Sequence, residues 1–173
     1  DLAKKIIVNF SLFQSIPDSW AISQLFPVMP LSHLDEEPTM RSIIGDITCD
    51  SDGKINNYMD YQGNEPSLKL PKYNPENPYL LGIFLVGAYQ EIMGNMHNLF
   101  GKVTTLDICL DGKGNFEFEN IHDGFTNKDS LEHVGYDIME MQDLFRKSLM
   151  TLKLPKAEQI KLMNQIKDIF DSH

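Results

Sequence analysis

A thiol and three carboxylates lie within the eight residues 46–53, which read Asp-Ile-Thr-Cys-Asp-Ser-Asp-Gly. The apolar residues 42–45 precede them, a pattern that predicts a buried strand ending in a loop. Functional side chains often sit in such loops, although Asp and Gly are also ordinary turn residues, so a plain surface turn is the alternative. Carboxylates beside a thiol favour its protonated form. Cys49 is therefore better suited to donating a proton than to nucleophilic attack, which would also need a nearby basic histidine.

The hydroxyl of Tyr89 is a second candidate group. Residues 79–86 form a continuous apolar run that predicts a fully buried strand. Residues 90–100 carry apolar side chains at helical spacing, and Gly101 is a natural stop. Tyr89 lies at the junction, where free N–H groups of a helix start attract phosphate and a hydroxyl could add one more donor. The alternative is an ordinary half-buried aromatic residue.

The sequence does not indicate a metal site or a nucleotide loop. No histidine pairs with another histidine or with a cysteine at zinc-ligand spacing. If residues 48–59 are aligned with a calcium loop, Met59 falls where the bidentate Glu belongs. Residues 112–114 read Gly-Lys-Gly and predict a hairpin turn rather than a phosphate loop. We expect His97, on the predicted helix, to be a partly buried histidine with a satisfied hydrogen-bond partner.

Strands are predicted through most of the chain that would position these groups. Residues 6–13 are β-branched and aromatic, and predict a strand. Residues 26–31 contain two prolines and can form an edge strand only. Residues 103–110 and 115–119 predict a hairpin, because the glycine-rich turn 111–114 joins them.

Helices are predicted at the C-terminal end. From Ser130 onward, apolar residues recur every three or four positions, which predicts an amphipathic helix. Pro155 can start a second helix in its first turn. The sequence therefore predicts an α+β protein: a β-rich, sandwich- or barrel-like domain over residues 1–127, and a helical hairpin extension over residues 128–173.

Composition excludes some classes of partner. The chain has 173 residues, 42% of them hydrophobic, and a formal charge of -10, which argues against nucleic acid binding. No apolar run approaches the roughly 20 residues that a membrane helix needs. Two cysteines sixty residues apart, Cys49 and Cys109, do not make a disulfide framework and fit a reducing, cytoplasmic setting. We expect Cys109, on a predicted strand, to lie in the core. The start lacks an initiator methionine and a signal peptide, so we expect a piece of a longer polypeptide, or a processed one.

Three stretches together resemble a known family. Residues 9–15 (Asn-Phe-Ser-Leu-Phe-Gln-Ser), residues 46–53, and residues 86–101, which begin Val-Gly-Ala-Tyr-Gln-Glu, are similar to the C-terminal part of biosynthetic arginine decarboxylase. This family uses pyridoxal phosphate, has an alanine-racemase-like fold, and is related to ornithine and diaminopimelate decarboxylases. The resemblance runs from about Val8 to about Leu110, and residues 87–101 are the part specific to the arginine branch.

The resemblance implies roles for four residues. Cys49 would help to reprotonate the substrate carbon after CO2 leaves, Asp50 would bind the guanidinium of the substrate, and Tyr89 would donate its hydroxyl to the cofactor phosphate. Asp52 would add a further substrate contact. The cofactor lysine would lie on a barrel domain that this chain lacks, and magnesium is a further family expectation. A second subunit of a homo-oligomer would complete the site.

The implied reaction converts L-arginine to agmatine and CO2 for polyamine synthesis, and we expect the isolated chain to be inactive. Two alternatives stay open. One is a related decarboxylase acting on ornithine or diaminopimelate, which residues 87–101 argue against. The other is a non-catalytic β-domain that only dimerises or regulates.

Overall fold

The computed structural model describes residues 2–61 and 63–173, which fold into two compact units, Asp1–Phe100 and Gly101–His173. The chain is 32% helical and 23% strand, so the predicted α+β class is confirmed. Within the described residues the strands form several small sheets and no closed barrel. The division into residues 1–127 and 128–173 stays a prediction about domains. No helix in the described ranges is both long and apolar enough to cross a membrane.

The first unit contains eight short strands, three short α-helices and one 3-10 turn within the described ranges. The strands are β1 (Lys4–Ile7), β2 (Val28–Pro30), β3 (Met40–Gly45), β4 (Lys54–Ile55), β5 (Tyr58–Asp60), β6 (Gly63–Glu65), β7 (Leu68–Leu70) and β8 (Leu81–Ile83). The helices are α1 (Leu12–Ser15), α2 (Pro17–Ala21) and α3 (Ala88–Met93), and the 3-10 turn spans His97–Leu99.

Strand β3 is the centre of the first unit. It pairs in parallel with β1 and antiparallel with β4 and β7. Ile44 pairs with Ile6 on one side and Ile55 on the other, and is buried together with Leu12 and Ile16. The predicted buried strand before Asp46 is therefore confirmed, and its burial fixes the point at which the loop 46–53 begins.

The predicted strand over residues 6–13 is wrong in its second half. Strand β1 ends at Ile7, and helix α1 begins at Leu12 because the hydroxyl of Ser11 caps it by accepting from the Gln14 N–H at 3.4 Å. The predicted edge strand near Pro30 is confirmed, since β2 belongs to a two-stranded sheet with β8.

Residues 79–86 do not form the fully buried strand that their apolar run predicts. Only Leu81–Ile83 are extended in a ladder, and Leu80 and Leu85 are 73% and 86% exposed. Leu85 has a left-handed backbone (φ 59°), which ends the strand before the turn at Gly87. The helix predicted over residues 90–100 is also shorter than expected, because it ends at Met93 and resumes only as the 3-10 turn.

The second unit contains the predicted hairpin. Strands β9 (Thr105–Leu110) and β10 (Phe116–His122) pair antiparallel, with an irregularity near Asn120. Asp111 fixes the turn, because its Oδ1 accepts from the backbone N–H of Lys113 at 2.7 Å and its Oδ2 accepts from the Asn115 amide at 2.7 Å. These hydrogen bonds, above all the one from the Asn115 side chain, lower the pKa of Asp111. Cys109 is exposed on this hairpin, so its predicted place in the core is wrong.

Three helices follow: α4 (Asn127–His133), α5 (Ile138–Thr151) and α6 (Lys156–Asp171). The single helix predicted from Ser130 onward is interrupted between α4 and α5. Gly135 adopts a left-handed backbone there (φ 91°), and Asp137 caps α5 by accepting from the Met139 and Glu140 N–H groups. Pro155 is the residue before the first turn of α6 rather than within it.

Candidate active site

The three stretches that carry the resemblance lie against one another in the first unit. The Ile47 N–H donates to the carbonyl of Phe10 at 3.3 Å, which joins residues 46–53 to residues 9–15. The Asn95 N–H donates to the carbonyl of Phe13 at 3.0 Å, which joins residues 86–101 to the same segment. Residues far apart in sequence therefore form one local structure around helix α1.

Asp46 organises the start of the loop. Its side chain is buried, at 4% exposed, and accepts three hydrogen bonds. Oδ2 accepts from the Leu12 N–H at 2.9 Å, while Oδ1 accepts from the N–H and the hydroxyl of Thr48 at 2.9 and 2.7 Å. The Asp46 N–H in turn donates to the Gly53 carbonyl at 2.8 Å. A buried carboxylate needs such partners, so this network links the loop to the N-terminus of α1.

Gly53 closes the loop where no side chain fits. A Cβ at this position would lie 2.1 Å from Oδ1 of Asp46 and 2.5 Å from Oγ1 of Thr48. The Gly53 N–H donates to the carbonyl of Asp50 at 3.1 Å. The tight turn therefore places Cys49 and Asp50 at its outer end.

Cys49 and Asp50 are adjacent and accessible. Cys49 is exposed, and the side chain of Asp50 is 35% exposed. Oδ1 of Asp50 accepts from the N–H of Asp52 at 2.9 Å, an Asx turn that orients the carboxylate. Asp52 itself is exposed, and its Oδ2 accepts from Nε1 of Trp20 at 3.4 Å.

Two residues of the 3-10 turn contact this pair. Nε2 of His97 lies 3.3 Å from Oδ2 of Asp50, and Nδ2 of Asn98 donates to Sγ of Cys49 at 3.4 Å. The expectation of a partly buried, partnered histidine is confirmed, since its side chain is 37% exposed. No local sequence pattern predicted a role for Asn98; the one available signal was its place in the stretch 87–101 that is specific to the arginine branch.

Tyr89 lies in the first turn of α3 and is 77% exposed. The helix is held by the buried Gln90, which exchanges two hydrogen bonds with Asp18: its amide donates to Oδ2 at 2.6 Å and its Oε1 accepts from the backbone N–H at 3.0 Å. In the described part of the chain, no hydrogen bond or ion pair joins Tyr89 to Cys49 or Asp50. The Tyr89 side chain is thus accessible, but these contacts do not connect it to Cys49 and Asp50.

Tyr58 supports the strand from which the loop emerges. Its hydroxyl accepts from the Ile44 N–H at 2.8 Å and donates to the carbonyl of Ile55. Burial raises the pKa of Tyr58 to about 12, although the Ile44 bond acts in the opposite direction. The phenol therefore stays protonated and fixes β3 against β4.

Metal binding has no support in the described ranges, where no group of three or more His, Cys, Asp or Glu side chains could hold an ion.

No family model matches the chain. Its sequence is, however, similar to biosynthetic arginine decarboxylases: it is 45% identical over 164 residues to that of Pasteurella multocida and 51% identical over 145 residues to that of Yersinia pestis. These alignments cover 95% and 84% of this chain, but 26% and 22% of the two relatives.

The fold is similar as well. The crystal structure of the biosynthetic arginine decarboxylase SpeA from Campylobacter jejuni matches with a TM-score of 0.82 and 40% sequence identity. The match covers 98% of this chain and 28% of that one. The chain therefore spans about a quarter of the length of the relatives it matches. In both sequence and fold, the chain is therefore similar to one part of the biosynthetic arginine decarboxylases.

Proposed function

We propose that this chain supplies part of the active site of an arginine decarboxylase, which converts L-arginine to agmatine and CO2. It would act as the C-terminal part of a longer polypeptide. The observation that carries the proposal is the side-by-side placement of Cys49 and Asp50 on an accessible turn. The buried Asp46 links this turn to α1 by hydrogen bonds. A thiol beside a carboxylate offers a proton donor and a cation-binding group in one place.

Asp50 would bind the guanidinium of arginine. A carboxylate matches the planar, forked geometry of a guanidinium, and charge-assisted bonds of this kind are strong. Each carboxylate oxygen has two acceptor sites, so Oδ1 and Oδ2 can still accept from a substrate beside Asp52 and His97. Asp52, two residues on, would add negative charge at the same end of the substrate.

Cys49 would deliver a proton to the α-carbon of the substrate once the bond to the carboxyl carbon has broken. The thiol would then regain a proton from solvent, so that the next turnover starts from the same state. Its exposure leaves Sγ accessible to a substrate that another part of the polypeptide brings.

Pyridoxal phosphate fits this chain only as a group held mainly by other residues. Tyr89 would donate its exposed hydroxyl to the phosphate, beside the open turn at Gly87, where an added Cβ would meet nothing within 4 Å. When bound, the cofactor supplies an electron sink for the decarboxylation. Magnesium is an expectation for the whole enzyme; the described residues of this chain contain no group of three or more His, Cys, Asp or Glu side chains that could hold it, and we assign it no step.

The remaining parts of the site would come from a barrel domain carrying the cofactor lysine and from a second subunit of a homo-oligomer. We propose a cytoplasmic setting, in keeping with two free cysteines, and a product that feeds polyamine synthesis. The isolated chain would then bind the cofactor weakly and release no CO2 from arginine.

The test uses the full-length polypeptide that contains this chain, supplied with pyridoxal phosphate. Asp50→Asn should raise KM for L-arginine by about 100-fold, because a neutral amide cannot form the charge-assisted hydrogen bonds that a carboxylate forms with the guanidinium. Cys49→Ala should lower kcat by about 100-fold, the range found for a proton donor. Asp35→Asn, an exposed carboxylate on another loop, is the matched control and should change neither.

Sedimentation velocity on the same samples separates catalysis from assembly. The proposal expects both variants to keep the assembly state of the parent. Altered assembly with unchanged turnover would instead support a non-catalytic dimerisation domain. A substrate panel of arginine, ornithine and diaminopimelate decides between branches, since preference for either of the last two would contradict the arginine assignment.

A further inference from the structure

Two neighbouring residues of the 3-10 turn face two neighbouring residues of the loop. His97 lies against Asp50, with 3.3 Å between Nε2 and Oδ2. Asn98 lies against Cys49, with 3.4 Å between Nδ2 and Sγ. Asp50 and Cys49 thus each have their own partner. Both partners come from residues 86–101, where the only role proposed so far is the contact of Tyr89 with the cofactor.

His97 also packs against an aromatic ring of α1. Its ring lies 4.4 Å from the ring centroid of Phe13, tilted by 37°. Phe13 is buried in α1, and its carbonyl accepts from the Asn95 N–H just before the turn. The imidazole therefore contacts both a buried aromatic ring and the carboxylate of Asp50, which together restrict its position.

Asn98 points its amide at the thiol because of an unusual backbone. Its φ of 56° and ψ of 26° are left-handed, a conformation that asparagine and glycine tolerate better than other residues. The N–H groups of Leu99 and Phe100 donate to the carbonyls of Met96 and His97 at 2.8 and 3.3 Å, which close the turn around Asn98.

We propose that His97 and Asn98 are positioning residues, His97 for the carboxylate of Asp50 and Asn98 for the thiol of Cys49. The inference rests on the proposed function, which gives Asp50 the substrate and Cys49 the proton. His97 would then act on arginine binding, because it restricts the rotation of the Asp50 side chain. Asn98 would act on proton delivery, because it restricts the rotation of the thiol.

The variants are chosen to remove one contact each. His97→Phe keeps a ring against Phe13 but removes the nitrogen facing Asp50. Asn98→Gly keeps the left-handed backbone but removes the amide donor, whereas alanine would strain the turn. His33→Phe is the matched control, because Nδ1 of His33 lies 2.5 Å from a carboxylate, Glu36, and its ring lies 5.7 Å from that of Tyr79.

In the full-length polypeptide with pyridoxal phosphate, His97→Phe should raise KM for L-arginine by about two- to fivefold with kcat nearly unchanged, the range for a single partly exposed polar contact. Asn98→Gly should lower kcat by about two- to tenfold with KM nearly unchanged, as for one neutral hydrogen bond. His33→Phe should change neither. A general loss of folding would instead lower the active fraction without this split between KM and kcat.

Double-mutant cycles then test whether each residue acts through its assigned partner. His97→Phe should have no further effect on KM once Asp50 is replaced by Asn, and Asn98→Gly none on kcat once Cys49 is replaced by Ala. The crossed pairs, His97 with Cys49 and Asn98 with Asp50, should be additive. Equal effects in every background would overturn the proposal.

A chemical readout keeps this result separate from the proposed function. The alkylation rate of Cys49, followed by peptide mass spectrometry on the folded full-length polypeptide, should fall about two- to tenfold in Asn98→Gly, because the amide that donates to the reacting sulfur and stabilises its thiolate form is lost. The rate should stay unchanged in His33→Phe. An unchanged rate in Asn98→Gly would refute the Asn98 contact. If arginine is not decarboxylated at all, the proposed function fails while this measurement still decides the contact.

Discussion

Replacing the buried Asp46 by asparagine is expected to destabilise the first compact unit far more than a surface substitution would. The carboxylate accepts from the Leu12 N–H through Oδ2 and from the N–H and hydroxyl of Thr48 through Oδ1. Asparagine has the same shape but only one oxygen. If that oxygen keeps the two Thr48 bonds, the amide NH2 faces the Leu12 N–H, and two donors oppose each other.

The magnitude follows from these three bonds. Losing a hydrogen bond to a charged acceptor costs about 1.5–3 kcal/mol, and a buried N–H left unsatisfied costs about 1–3 kcal/mol. Both ranges include the cost of leaving the Leu12 N–H without an acceptor, so they cannot simply be added. We therefore expect a loss of about 3 kcal/mol in the free energy of unfolding. That is a large fraction of the roughly 5–15 kcal/mol by which proteins of this kind are stable.

The assay is equilibrium urea unfolding of the chain, followed by the fluorescence of its one tryptophan, Trp20. This residue reports on the relevant region, because its ring packs edge-on against Phe13 of α1 at 5.3 Å. With a urea dependence of about 2 kcal/mol per molar, the midpoint should fall by about 1.5 M. The exposed control Asp35→Asn should stay within about 0.5 kcal/mol of the parent.

A loss below about 1 kcal/mol for Asp46→Asn, the value of one ordinary neutral hydrogen bond, would refute this prediction. A loss equal to that of Asp35→Asn would show that the three contacts do not hold the loop to α1. A changed urea slope with an unchanged midpoint would point to the denatured state instead.

Three further predictions concern other parts of the fold. Gly94→Ala should cost about 1–3 kcal/mol in urea unfolding, because its Cβ would lie 2.2 Å from the backbone oxygen of Gln14. Stability should fall as pH rises from about 10 toward 12, by at most about 3 kcal/mol, because the pKa of Tyr58 is about 12 in the folded chain and about 10 when unfolded. Unfolding midpoints of Tyr58→Phe should lack that part of the pH dependence. Thr126→Ala should cost about 1 kcal/mol by removing a helix cap, and should raise the pKa of Asp129, which the Thr126 bonds now lower, as NMR titration can measure.

Local patterns in the sequence predicted the elements whose partners are close by. The hairpin β9–β10 follows from its glycine-rich turn, and the strand before Asp46 follows from its apolar run. Both depend on chemistry within a few residues. Residues 6–13 were misjudged because Ser11 and the distant Asp46 stabilise a helix start that β-propensity alone does not reveal.

The candidate site shows the same limit. Its chemical residue types, a thiol and carboxylates next to a turn, were visible in residues 46–53 and gained roles through the family resemblance. The contacts that support these groups were not visible in the sequence, because His97 and Asn98 lie almost fifty residues away from Asp50 and Cys49 along the chain. The broken helix also mattered: an unbroken helix through Gly94 would not place Asn98 in the left-handed conformation that aims its amide at Cys49.

The central claim is that this chain completes the site of an arginine decarboxylase. The most direct test is the release of labelled CO2 from carboxyl-labelled L-arginine, with pyridoxal phosphate supplied, from the full-length polypeptide and from residues 1–173 side by side. We predict CO2 and agmatine in equal amounts from the full-length polypeptide and none from the chain alone. No release from either would contradict the account and leave Cys49, Asp50 and Tyr89 as ordinary surface residues.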